Sequence, residues 1–403
     1  MRLKTILIFF ATFFSVAAPL LAQTPSRAPQ RFNPDISLNG LFAAALFSDA
    51  NHLQSGAHDP VERGFTLQNL ELTMTSVVDP YFRAEGHLIF AFHDGESVVE
   101  VEEAFMTTLG LPYGLQVMGG QFFTRFGRAN PLHPHAWAFA DQTLINTLMF
   151  GGEGLRNLGV QLSALLPFPF YLEVVGSVQN AKGETASSFL SSPEHGHEDE
   201  DEEGATFAGR PITEQVVNEA DDLLYMGRVK TAFDLGGTVS AVAGTSHLFG
   251  HNGTGPDAKT RIHGLDFFMK WKPLRTDHGW PFVTLQGEVM QRVYEAGAVN
   301  VAGTTPLPAE TFKTKGFYLQ TLYGFTRRWV AGLRYGQADA TEPNDPRTGD
   351  RRRISPNLTF YPSEFSKLRL QYNYDDSDDR PDPVHALFLQ FEFSIGAHAA
   401  HTF

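Results

Sequence analysis

Residues 125–154 hold the densest set of side chains that could act together. Arg125 and Arg128 open the stretch, Arg156 follows it, and Asp141 and Glu153 lie within or beside it. Charges of both signs on one segment can orient a polar solute, or they can pair and only stiffen the segment. The rest of the segment is apolar: Trp137, Phe139, Leu144, Ile145, Leu148, Met149 and Phe150. Within it, His133 and His135 are bracketed by Pro131 and Pro134, and residues two apart project to the same side of an extended chain. Two imidazoles near a carboxylate such as Asp141 form a workable zinc donor set; a proline-bounded turn accounts for the same residues without metal. A second stretch, Glu194-His195-Gly196-His197 running on through the acids 198–203, would concentrate divalent cations weakly or remain a solvated loop tip. No cofactor is expected beyond such a weakly bound divalent cation, for example zinc. No serine nucleophile with an ordered histidine and acid, no helix-borne zinc motif and no phosphate-cradling loop is present, so no enzyme is expected.

These side chains need a scaffold, and the N-terminus says where it is built. A basic start, Met1-Arg2-Leu3-Lys4, precedes an apolar run to Leu21 and a small residue, Ala22. This reads as a signal peptide over 1–22, with a polar leader over 23–34. Beyond it no run approaches the roughly 20 apolar residues that a spanning helix needs. The chain has no cysteine, so no disulfide framework can staple a secreted fold, and 35 Phe is more than a soluble chain usually carries. The net charge of −14 argues against nucleic acid as a partner.

Residues 35–403 break into about 16 short segments that alternate at period two, the pattern of strands with two different faces. Leu387, Leu389, Phe391, Phe393 and Ile395 fall on one face of the last segment, with Ala386, Phe388, Gln390, Glu392 and Ser394 on the other. Leu368, Leu370, Tyr372 and Tyr374 repeat the scheme against Arg369, Gln371 and Asn373, and Leu70, Leu72 and Met74 do so against Asn69, Glu71 and Thr73. The inward row also carries Arg83, Glu85, Arg228, Lys230, Lys270, Lys272, Glu288, Arg292, Arg334, Arg353 and Glu392. So many charges suit a wet lumen, or cross-strand pairs that only hold the wall. The connections alternate too. Short links such as Asp79-Pro80-Tyr81 and Leu235-Gly236-Gly237 are interleaved with longer polar ones at 48–63, 125–154, 181–222, 249–259, 295–311, 337–350 and 376–383; the link at 93–98 is a short exception. An all-β, transmembrane antiparallel β-barrel with short periplasmic turns and long extracellular loops accounts for both alternations. Loop 125–154 then folds inward to narrow the lumen, and loop 181–222 carries the acidic, His-bearing stretch.

Val101-Glu102-Glu103-Ala104-Phe105, the run from Gly119 to His135 and Asp79-Pro80-Tyr81-Phe82-Arg83-Ala84 resemble porin-like outer-membrane proteins related to the phosphate-selective porins O and P. The tail from Gly396 to His401 is similar to a subgroup labelled zinc-regulated outer-membrane receptors. The resemblance implies a 16-stranded barrel. Its phosphate-selective members owe their selectivity to lysine-rich pore arms, which have no counterpart here, so phosphate transport does not carry over. Energy-coupled receptors need a large plug domain, and none is visible. The expected function is a channel for passive or weakly selective passage of small hydrophilic solutes or ions; the alternative is a metal-binding receptor or uptake component without a plug. Expected partners are outer-membrane lipid, the solutes, the barrel-assembly machinery reading the last strand to Phe403, and further copies in a homotrimer.

Overall fold

The computed structural model describes residues 34–49, 56–60, 62–93, 96–181, 183–190, 206–213, 217–300, 306–340 and 349–396. The expected signal peptide, the leader up to residue 33, His195, His197, His398, His401 and Phe403 lie outside them. Among the described residues, eighteen strands follow in order: β1 (Asp35–Phe47), β2 (Gly64–Val77), β3 (Phe82–His93), β4 (Glu96–Thr108), β5 (Leu115–Phe123), β6 (Arg156–Leu165), β7 (Tyr171–Gln179), β8 (Thr206–Phe207), β9 (Arg210–Pro211), β10 (Leu224–Leu235), β11 (Val239–His251), β12 (Lys259–Trp271), β13 (Phe282–Ala296), β14 (Glu310–Thr326), β15 (Trp329–Ala338), β16 (Arg351–Ser363), β17 (Ser366–Ser377) and β18 (Val384–Gly396). All but β8 and β9 form one closed antiparallel barrel of 16 strands, each paired with its chain neighbour, and β18 closes on β1 from Ser37↔Gly396 to Phe47↔Ala386. Closure leaves no unpaired edge in lipid, where water cannot satisfy backbone groups.

The period-two pattern fixes which face meets lipid. Leu387, Leu389, Phe391 and Ile395 on β18, Leu368 and Leu370 on β17, and Leu158, Val160 and Leu162 on β6 are all exposed on the outer wall. Their alternates Gln390, Glu392, Arg369, Gln371, Gln161 and Ser163 are buried inside. Exposed Tyr81, Tyr113, Tyr171, Trp271, Tyr323 and Trp329 sit at the short-turn end, where a periplasmic aromatic girdle belongs. Turn chemistry follows the sequence. Asp79 Oδ1 accepts from the amides of Tyr81 at 2.7 Å and Phe82 at 2.9 Å, and Gly236 and Gly237 both take the positive φ of a tight hairpin. The link expected at 93–98 is shorter than that, because β3 and β4 pair out to His93↔Glu96.

The lumen is not wet throughout, which corrects the simplest reading of the inner face. Val175, Met226, Leu248, Ile262 and Met290 also point inward and form one apolar cluster with Phe126, Ile145, Met149, Phe150, Leu155, Phe189 and Leu190.

Candidate functional site

The loop between β5 and β6, here L3 (124–155), lies inside the barrel. It turns in at Gly127, whose φ of 60° favours glycine and where a Cβ would collide with the Glu288 carboxylate. Glu288 Oε1 accepts from the Ala129 amide at 2.6 Å, and a short helix α1 (Leu144–Phe150) buries Leu144, Ile145, Met149 and Phe150 against β13 to β16.

Between these ends the chain is irregular, and irregular backbone inside a membrane barrel needs partners. The wall supplies them. Lys367 Nζ donates to the His135 carbonyl at 2.8 Å, Arg369 Nη2 to Trp137 at 2.9 Å, Asn357 Nδ2 to Ala138 at 2.9 Å and Gln68 Nε2 to Ala140 at 2.8 Å. Arg334 Nη1 donates to the Asp141 carbonyl at 2.9 Å and its Nη2 to Asp141 Oδ1 at 2.5 Å; Arg353 reaches Asp141 Oδ2 at 2.5 Å, with Gln371 and Asn373 as further donors. Burial alone would raise the Asp141 pKa, but the charges of Arg334 and Arg353 outweigh it and hold the carboxyl below its usual range. Arg292 serves the same end, donating to the Leu148 carbonyl and to Ser188 Oγ. Asp141, Arg292 and Arg334 therefore strap the loop to the wall. The expectation that Asp141 lies with the histidines does not hold, because its oxygens face β15 to β17.

The remaining residues singled out from sequence divide clearly. Arg156 is buried and pairs with Glu100 and with Glu153, whose pKa burial pushes upward. Arg128 lies 4.5 Å over the Phe268 ring. Arg83 faces Glu85 at 3.2 Å, Arg125 faces Glu173 at 4.0 Å, and Lys230 meets the same Glu173 at 2.6 Å. Arg83, Arg125 and Lys230 keep 49%, 41% and 31% of their side-chain surface exposed, and Lys270 is half-buried on the same inner face. These residues, toward the short-turn end, keep part of their charged surface exposed on the inner side of the barrel.

His133 and His135 meet a third group. Across β3 and β4 the register slips at His87/Leu88, so that His87 pairs with Glu103 and Leu88 with Val101. The extra residue is a β-bulge, which turns Glu102 and Glu103 inward together. Both are buried, as are Glu71 of β2 and His87 of β3. His133 Nδ1 lies 2.8 Å from Glu102 Oε2 and 3.5 Å from Glu71 Oε2, and its Nε2 lies 2.8 Å from Glu103 Oε2. His135 Nδ1 is 2.9 Å from Glu71 Oε2, and His87 Nδ1 is 2.8 Å from Glu71 Oε1. The His87 and His133 rings stack at 4.4 Å. Burial opposes a charged His133, but Glu71 and Glu102 hold its pKa well above the ordinary histidine value. Sequence reading placed Glu71 on the inner face but did not connect it to His87 or His133. It missed the roles of Glu102 and Glu103; the doubled acid inside an alternating strand was the available signal.

No family model matches the chain. An uncharacterized protein of Aquifex aeolicus is 33% identical over 372 residues, spanning 86% of this chain and 73% of its own length. Among solved structures, the outer membrane channel DcaP of Acinetobacter baumannii superimposes with a TM-score of 0.57 at 13% identity, over 94% of this chain and 100% of that one. OprB of Pseudomonas putida gives 0.54 at 8% identity over 90% and 94%. An anion-selective porin from Comamonas acidovorans gives 0.51 at 11% over 90% and 100%. The chain therefore belongs to the family of the Aquifex aeolicus protein, as an outer-membrane β-barrel with the porin fold.

Proposed function

We propose that the barrel is a channel for passive, weakly selective passage of small hydrophilic solutes or ions, narrowed from within by L3. The observation that carries this reading is the partly exposed Arg83, Glu85, Lys230 and Lys270 on the inner wall, with Arg125 at the start of the strapped, inward loop beside them. Fixed charges of both signs beside a narrowed path act on passing ions through their field, which sets preference without a binding step. Kinship with the phosphate-selective porins O and P belongs to the same reading and rests on Val101–Phe105 and the run from Gly119 to His135. Phosphate selectivity is not part of it, because the described residues show no lysine-rich arm on the inner face.

Planar-bilayer recording tests the channel. Discrete conductance steps are expected from the purified barrel, whereas silent insertion, with folding confirmed by circular dichroism, rules it out. Reversing the charge at Arg125 and Lys230 to Glu is expected to move the reversal potential under a salt gradient toward the cation limit. An unmoved potential would place the ion path elsewhere.

A further inference from the structure

Three carboxylates are buried on the inner wall with no Lys or Arg paired to them among the described residues. Among the described residues, the recorded ion pairs of Glu71, Glu102 and Glu103 are all with histidines: His58, His87, His133 and His135. Asp141 and Asp375, by contrast, each meet at least two guanidiniums. Buried carboxylates need a compensating positive charge. One ligand atom each from Glu71, His87 and His133 falls within 4.8 Å of the others, a spacing that one ion can bridge. Glu102 Oε2 is the fourth donor at hand. It lies 2.8 Å from His133 Nδ1.

The outer partners point the same way. Both histidines turn Nδ1 into the cluster and Nε2 onto a second carboxylate, His87 onto Glu85 at 3.1 Å and His133 onto Glu103 at 2.8 Å. A carboxylate behind the far nitrogen fixes the tautomer and ring angle of a metal-ligating histidine. Thr73 Oγ1 donates to Glu71 Oε1 at 2.9 Å and steadies the third donor. Two imidazoles with two carboxylates suit a borderline divalent ion, whereas calcium and magnesium take oxygen alone.

We infer that Glu71, His87, His133 and Glu102 bind a divalent transition-metal ion of the zinc class, which ties L3 to the wall formed by β2, β3 and β4. This goes beyond the channel reading and does not depend on it, because binding is measured on the folded barrel in detergent and conduction in a bilayer.

The test is zinc titration by calorimetry of the full-length, EDTA-stripped barrel, with cobalt(II) absorption as a second readout. One site of micromolar or tighter affinity is expected, with visible cobalt bands of tetrahedral intensity, and zinc should raise the melting temperature. His87→Ala with His133→Ala, and separately Glu71→Gln, should each weaken binding by at least about tenfold. Deleting residues 194–203 should leave it unchanged. Heat-modifiable migration on gels checks that each variant is folded; His133→Gln replaces the double variant if that one does not fold. Absence of zinc binding to the wild type, or affinity that survives the ligand substitutions in folded protein, or affinity that falls only with the loop deletion, overturns the site. Silent bilayers with zinc binding intact would remove the channel and leave the site standing.

Discussion

At the scale of single residues, the barrel uses charge mainly to hold L3. Asp141 sits between Arg334 and Arg353 with almost no solvent contact. Removing one member of a buried pair leaves the others uncompensated, typically at a cost of about 3–5 kcal/mol. Asp141→Ala is therefore expected to lower the melting temperature and to raise single-channel conductance as the strap loosens. Unchanged conductance in a folded variant would mean that the strap does not set the pore. Asp59, in the loop before β2, provides a pH test. It accepts from the amides of Gln142 at 2.7 Å and Gly56 at 3.1 Å. Burial first, and then the charge of Asp141, push its pKa up to about 6. The folded state thus holds a proton that the unfolded chain has released above about pH 4. Its contribution is full below that point and is lost as pH rises through about 6. Asp59→Asn should flatten this part of the stability curve between pH 4 and 7, read as melting temperature against pH.

At the scale of elements, two departures from regularity assemble the interior. The bulge in β4 sends Glu102 and Glu103 to one face, where strict alternation would have put Glu103 in lipid. The left-handed turn at Gly127 drops L3 onto Glu288. Gly127→Ala adds a methyl group that displaces the Glu288 carboxylate from the Ala129 amide, on top of roughly 1–2 kcal/mol for left-handed backbone. A less stable barrel with L3 cut faster by protease is expected. Protease resistance equal to wild type would show that the turn is not what docks the loop.

At the scale of the whole molecule, one physical difference separates the two faces of the wall. Leu389 is exposed near the middle of β18 and should face hydrocarbon. Leu389→Arg is expected to destabilise the barrel by about 2–4 kcal/mol in lipid unfolding experiments. Arg83→Ala, on the half-exposed inner face, should cost far less. Equal effects of the two would contradict the assignment of faces.

The sequence alone determined a barrel of about 16 strands, the order of short and long links and the facing of most residues. Alternation and turn chemistry are local, so one chain segment carries the whole signal, as β18 and the Asp79 turn show. It also marked His133 and His135 as a pair. Only the tertiary structure decided what each inward charge does. Arg334 and Arg353 could have lined water; they bind Asp141 because barrel closure and the path of L3 bring together residues about two hundred positions apart in the chain. Nor could sequence join Glu71, His87, Glu102 and His133, whose meeting depends on three strand registers, one bulge and one loop. Distances across a lumen are set by closure, and closure belongs to the whole sheet.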